Sequence, residues 1–365
     1  MKMDTEFHMA KGEGESSYSN NSRLQRKALF ETKKVLEKAV RELFSAVLPR
    51  SLVVVDLGCS SGENTLMFVS QVMNAMSDSQ QMEVQFFLND LPGNDFNYIF
   101  RSLGNFKESI AAEHKGGTPP PFYIAGVPGS YYTRLFPSQS VHLFHSSYCL
   151  HWRSRVPDGL DVNAKTDLNK GNIYIAKTTP FSVVKLYQEL FQTDLLLFLK
   201  LRHEELVSGG QMVLTFLGRK SEDVYKGDLN HLCGLLAQSV QSLVSKGLVQ
   251  EEKLDAFNLP VYGPSVDEVK AVVRKSELFD ITSAKLFESN WDPYDDSGGQ
   301  FVQDSLQSGL NVAKSIRAVM EPLFGSHFGG SVLDELFKEY AHNVSKHLQR
   351  EKTMYSVIVL SLQRR

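Results

Sequence analysis

The chain has 365 residues, 42% hydrophobic and 22% charged, with a formal net charge of -3 and a pI near 6.4. That is enough apolar material for one large α/β core plus an appended region, and the near-neutral balance provides no basic footprint for nucleic acid or an anionic membrane. No apolar run is long enough to span a bilayer and the polar first 21 residues lack a signal-peptide core, so a cytoplasmic location is expected; Cys59, Cys149 and Cys233 are too widely spaced for a disulfide framework or a C-x-x-C zinc motif.

Residues 1–21 read as an irregular arm containing Tyr18. Ser22 stands where an N-cap would start a helix carrying Leu24, Gln25, Leu29, Leu36, Val40 and Leu43 until Pro49 stops it. Leu52–Asp56 is strand-like and leads through Gly58 and Gly62 into a helical pattern at Asn64–Met76, the layout of a first βα unit in a doubly wound sheet. Two glycines let the backbone take positive φ and approach a ligand, while Asp56 puts a carboxylate at the strand's end. This D-x-G-x-x-x-G turn suits the ammonium of an amino-acid-bearing nucleoside such as S-adenosyl-L-methionine better than a pyrophosphate, which wants bare N–H groups. Gly58–Gly62 also satisfies G-x-S-x-G, with Ser60 as a hydrolase nucleophile. Against that reading, the elbow falls on the first strand, no HGGG-type segment precedes it, and Asp56 would oppose an oxyanion.

A second strand, Val84–Asp90, ends in an acid placed to hold ribose hydroxyls; the plainer alternative is that Asp90 caps the segment after it. Beyond the Pro119–Pro121 loop come strands at Phe122–Ala125 and Val141–Phe144, the latter running into His145–Trp152, which should line the site. His142 and His145 point to opposite faces of a strand, which disfavours metal binding there. A strand-like piece at Ile173–Ala176 precedes a helix over about Pro180–Val207 and a fifth strand at Gln211–Leu217. Helices are expected at Leu229–Lys246, Val302–Met320 and Val332–Gln349, and strands at Ile281–Glu288 and Tyr355–Leu362, the last beside the fifth. The expected fold is α/β, a seven-stranded Rossmann-like methyltransferase sheet with a mostly helical cap over the active site. The chain reads as a single domain: a core over about 30–224, 275–300 and 331–365, with a cap over about 225–274 and 301–330 plus the arm 1–29.

Several motifs occur together: Ser17–Ser22, Val55–Thr65, Phe87–Asn97, Pro128–Pro137, Ser146–Trp152, Asn169–Gly171, Phe257–Pro260 and Arg317–Val319. Over nearly the whole chain they resemble the plant SABATH family of carboxyl and N-methyltransferases, most closely the grass enzymes that methylate benzoic, salicylic or anthranilic acid. The resemblance implies that Tyr18, Cys59, Asn64, Asp90, Leu91, Ser130 and Tyr131 contact S-adenosyl-L-methionine, with Asp56 structuring the floor of its site. It implies acid contacts at Gln25, Tyr148, His151 and Trp152, a homodimer, and in some members a magnesium site matching Asn169, Asp255, the Phe257 carbonyl and Asn258. One departure is visible: carboxyl-methylating relatives often carry a lysine just after the equivalent of Met9, where this chain has Ala10 and then Lys11.

An aromatic acid is already ionised at neutral pH, so the reaction needs positioning rather than a general base. Gln25 and Trp152 are suited as neutral donors to the carboxylate, His151 as a wall with one hydrogen bond, and Leu150, Phe216, Tyr262, Ile316 and Tyr355 as walls for a flat ring. The alternatives are jasmonate, indole-3-acetate or farnesoate O-methylation, xanthine-type N-methylation, a non-catalytic acid-binding protein, and serine hydrolysis.

Overall fold

A computed structural model describes residues 7–47, 51–76, 82–113, 119–160, 168–299 and 301–365. In chain order the elements are α1 (Tyr18–Asn21), α2 (Arg23–Ala46), β1 (Ser51–Leu57), α3 (Glu63–Ala75), β2 (Glu83–Asp90), α4 (Phe96–Glu113), β3 (Phe122–Pro128), β4 (Val141–Ser147), α5 (Phe181–Glu205) and β5 (Leu206–Leu217). They continue with α6 (Asp228–Ser245), α7 (Glu251–Asp255), α8 (Val266–Ser276), β6 (Phe279–Asn290), α9 (Ser305–Phe328), α10 (Leu333–Leu348) and β7 (Met354–Arg364).

The strands form one seven-stranded sheet in the order β3-β2-β1-β4-β5-β7-β6, parallel through β5, with β7 antiparallel to both its neighbours. Successive residues of the central strands go to opposite faces, so apolar runs rather than alternating patterns mark a sheet covered on both sides. Val54, Leu143 and Val213 join Leu36 and Val40 of α2 and Val69 and Met73 of α3 on one face. Val55, Phe144 and Leu214 join Val184 and Phe198 of α5 on the other. Among the described residues no helix is long and apolar enough to cross a membrane.

The fold departs from the sequence expectation in several places. Ser22 has no side-chain capping bond; its hydroxyl instead accepts from Asn64 Nδ2 at 3.0 Å. Pro49 lies outside the described residues. Helices α1, α4, α7 and α8 have no counterpart in the pattern reading, which takes all of 1–21 as irregular. Ile173–Ala176 is buried but irregular, because its carbonyls are taken up elsewhere: Leu259 N–H donates to Ile173 at 2.8 Å and Asn230 Nδ2 to Ile175 at 2.9 Å.

The expected stop near Met320 fails because α9 runs through Pro322 to Phe328. Proline has no N–H, so the carbonyl four residues back loses its helical donor. That carbonyl belongs to Ala318, and Ala10 N–H of the N-terminal arm takes it at 2.8 Å. The arm is thus docked on a helix acceptor that Pro322 leaves open. Replacing Pro322 with Ala supplies a competing N–H; we expect faster hydrogen exchange at the Ala10 amide and faster proteolysis within 7–17, with the helix retained.

Candidate active site

The carboxyl ends of the parallel strands meet at the turn after β1. Gly58 sits at φ +75° and Gly62 at φ +131°, conformations that favour glycine. Gly58 is also sterically required, since a Cβ there would lie 2.1 Å from Cys149 Sγ at the exit of β4. The Gly58 and Cys59 N–H groups both donate to the Asn89 carbonyl, at 2.8 and 2.9 Å. Asp90, the next residue, returns the contact: one carboxylate oxygen accepts from Ser60 N–H and the other from Leu91 N–H, both at 2.7 Å. The capping alternative for Asp90 is therefore correct as far as Leu91, and the same carboxylate also grips the glycine turn. Burial pushes this carboxyl up to about 6, against the two N–H bonds that favour the ionised form.

Asp56 is engaged from below. Its oxygens accept from Thr65 Oγ1 and pair with His145 Nδ1, each at 2.7 Å, and the His145 ring stacks on Phe68 at 4.0 Å. With Tyr18, Gln25, Cys59 and Asn64 it bounds a small cavity under the turn. Asn64 donates to the carbonyl and hydroxyl of Ser22, stitching the start of α3 to the arm.

A larger cavity lies above the turn and is continuous from one end to the other. Tyr18, Gln25, Gly58, Asp90, Leu91, Ser130, Tyr131, Tyr148, His151, Trp152, Ile316 and Tyr355 all line it. Cys59 and Asn64 face only the small cavity. Tyr148 sits at φ +59°, and its hydroxyl, His151 Nδ1, Gln25 Oε1 and the Ser147 hydroxyl are all buried without a hydrogen-bond partner among the described residues. Burial, and then the Arg153 charge, push His151 down to about 3, and burial pushes the Tyr148 phenol up, so both are neutral.

Three expected walls lie elsewhere. Leu150, Phe216 and Tyr262 are core residues, and their chain neighbours Cys149 and His151, Leu217, and Val261 face the cavity. For Phe216 and Tyr262, in extended chain, a one-residue offset reverses the direction of the side chain; Leu150 lies in the turn after β4 and points into the core while its neighbours on both sides line the cavity. Tyr262 stacks on Phe191 and donates to Glu268 at 2.8 Å. Cavity residues absent from the sequence reading include Phe7 and Met9 of the arm, Leu229 and Leu232 of α6, Ser315 of α9, and Arg153. Phe7 packs on Trp152 at 4.7 Å, whereas Lys11 is exposed and does not line the cavity. The buried Arg153 lies 3.9 Å from Asp194, over the Phe191 ring, and donates to the Leu150 carbonyl. Apolar neighbours gave no sequence sign of any of these contacts.

The hydrolase reading fails on geometry. Ser60 has the positive φ of a nucleophile elbow, 53°, but its buried hydroxyl has no hydrogen-bond partner among the described residues, so no imidazole is placed to take its proton. The three strand-region histidines do not converge: His142 Nδ1 accepts from Val53 N–H, His145 binds Asp56, and His151 lines the cavity.

The magnesium set is oxygen-rich, as a hard cation requires. Its residues nevertheless satisfy one another. Asn169 donates to the side-chain oxygen of Asn258 at 2.9 Å and accepts from Thr179 at 2.7 Å, while Asp255 accepts from Gly171 N–H at 2.9 Å and meets Lys170 Nζ at 3.4 Å. None of these side chains has an orphaned buried oxygen, and an ammonium already faces the set's one carboxylate. The arrangement does not fit a bound divalent ion.

A glycine turn clasped by the acid of the next strand, in a 3-2-1-4-5-7-6 sheet, opening into a cavity lined mostly by apolar and uncharged polar side chains, defines a methyltransferase that uses S-adenosylmethionine. A family model described as "SAM dependent carboxyl methyltransferase" matches residues 4–365, and the chain belongs to that family, the SABATH methyltransferases. It is 55% identical to anthranilate O-methyltransferase 1 of Zea mays over 100% of this chain and 98% of that protein, and 53% identical to benzoate O-methyltransferase of Zea mays over 100% of both. A solved structure of loganic acid methyltransferase with S-adenosylhomocysteine superposes with a TM-score of 0.84 at 33% identity, covering 98% of each chain.

Gly58→Ala meets both the unfavourable φ and the Cys149 thiol. Its expected cost is on the order of 1–3 kcal/mol, read as a lower melting temperature with the fold intact by circular dichroism.

Proposed function

We propose that this carboxyl methyltransferase acts on a small aromatic acid, anthranilate, benzoate or salicylate, at the Gln25–Trp152 end of the cavity. The observation that carries this reading is a pair of neutral donors left unused by the protein. Neither Gln25 Nε2 nor Trp152 Nε1 donates to another described residue, the Gln25 side-chain oxygen is buried without a partner among them, and both residues line the cavity. The high identity to relatives named for anthranilate and benzoate supports the same substrate class.

S-adenosylmethionine supplies an electrophilic methyl group on a sulfonium. In the proposal Tyr18, Leu91, Ser130 and Tyr131 enclose the nucleoside, Asp90 accepts from the ribose hydroxyls, and Asp56, Cys59 and Asn64 shape the amino-acid end. A carboxylic acid with a pKa of ~4 is ionised at neutral pH, so its oxygen attacks directly. The C–O bond forms as the bond from sulfur to the methyl carbon breaks, the electron pair goes to sulfur, and no proton moves. Gln25 and Trp152 orient the carboxylate without adding charge; placement of this kind contributes on the order of 7–11 kcal/mol. Tyr148 and His151 offer further uncharged contacts, and Ile316 and Tyr355 flank the ring. The oxygens of Asn169, Asp255 and Asn258 are engaged within the protein, and magnesium is assigned no step. The proposal includes a single-domain core-and-cap organisation with the divisions given above, a homodimer, and a cytoplasmic location; gel filtration and cell fractionation test the last two.

An activity panel of aromatic, jasmonate-type and indole acids with labelled S-adenosylmethionine tests the substrate class, and turnover confined to non-aromatic acids would overturn it. Gln25→Ala combined with Trp152→Phe should depress aromatic-acid turnover by at least ~10-fold, with little change in S-adenosylmethionine affinity. Unchanged turnover removes the assigned role.

The Asp90 carboxyl, pushed up to about 6, is ionised above that pH and protonated below it. Since ribose hydroxyls need the ionised acceptor, S-adenosylmethionine affinity should hold above pH 6 and weaken by about tenfold per unit below it. Calorimetry between about pH 5 and 8 with Asp90→Asn as control checks this, and a flat profile removes the ribose assignment.

A further inference from the structure

Outside the cavity, three side chains from two helices and a turn converge: His231 of α6, His347 of α10, and Glu351 just beyond α10. Their ligand-type atoms all lie within 4.8 Å of one another. His347 Nε2 faces a Glu351 carboxylate oxygen at 3.6 Å. Two ligands on one tetrahedral zinc, with bonds of about 2.0–2.2 Å, are separated by about 3.3–3.6 Å, so this pair is already at coordination distance.

The two imidazoles lie 4.2 Å apart with a 46° tilt. His231 and Glu351 are exposed, so the remaining gap closes by rotation of a ring that has solvent around it. His347 is the fixed member: it is half-buried against Trp291 at 5.4 Å, and its Nε2 also touches Thr353 Oγ1 at 2.6 Å. Burial and the neighbouring His231 push His347 below its ordinary value, so the ring is neutral at neutral pH, and a metal bound at Nε2 displaces the Thr353 hydroxyl.

We propose that His231, His347 and Glu351 form a transition-metal site with two imidazole ligands and one carboxylate, water in the remaining position, that takes zinc. Imidazole nitrogen and carboxylate suit zinc or nickel rather than magnesium or calcium. The site joins α6 to the end of α10 just before β7. The neighbours of its ligands on α6, Leu229 and Leu232, and Tyr355 of β7 line the acid chamber, so a bound ion would brace that wall without touching substrate.

The test is zinc chloride titrated into the untagged full chain after chelator treatment, in the absence of S-adenosylmethionine and acid. Wild type should bind one zinc per chain by calorimetry and melt at a higher temperature with zinc than without. His231→Ala and Glu351→Gln, both at exposed positions, should each weaken binding by roughly 100-fold and abolish the melting shift. No saturable zinc binding by wild type, or equal affinity in both variants, overturns the site. Because the readout involves neither methyl donor nor acid, failure here leaves the substrate reading untouched, and failure of the substrate reading leaves this site standing.

Discussion

One half-buried carboxylate ties together the two turns at the carboxyl ends of β1 and β2. Asp90 sits at the tip of β2, where charge is costly to bury, and survives there because two backbone N–H groups from two different loops point at it. One of those loops is the glycine turn after β1, which is also held by the Asn89 carbonyl and pressed against Cys149. The register of β1 on β2, with Leu57 beside Asn89, brings these groups to the same level. A shift of one residue would leave both the turn and the acid without partners, so sheet pairing and ligand geometry are a single constraint.

A second constraint places the N-terminal arm against the cavity. The arm supplies Phe7 to the Trp152 ring and Tyr18 to the donor end, yet it has little secondary structure of its own beyond α1. What places it is a backbone bond to Ala318 in α9, available only because Pro322 cannot use that carbonyl. A residue that disrupts helices in isolation here serves as a docking device, and α9 supplies Ile316 to the chamber two residues before the docking point.

The sheet and its ligand-binding edge were legible because both are written locally. Apolar runs of the right length marked all seven strands, and the acid and glycines at strand ends marked the turn. What was not legible depended on parity or distance. Phe216 fell one residue off the cavity, since a buried strand is apolar on both faces and its pattern does not say which face holds the ligand, and Leu150 and Tyr262 did so in a turn and a loop whose path the pattern does not show. Ile173–Ala176 has strand composition but spends its carbonyls on Leu259 and Asn230, residues far away in the chain. The same holds for Arg153, whose partner Asp194 lies on α5, and for His231 and His347, brought together by helix packing from distant parts of the sequence.

The electrostatics of the acid chamber follow from the kind of reaction it serves. Transfer of a methyl group from a sulfonium to a carboxylate destroys two opposite charges, so a full cation held on the carboxylate would stabilise the reactants more than the transition state. A strong hydrogen-bond donor without charge orients the oxygen and loses less as the charge disappears. In the proposed assignment Gln25, Trp152, Tyr148 and a His151 held neutral chiefly by burial fill that role. Arg153, a guanidinium in the cavity wall, has its charge balanced by Asp194, a backbone carbonyl and an aromatic face. Its charge is a smaller cause of the neutral state of His151 than burial is.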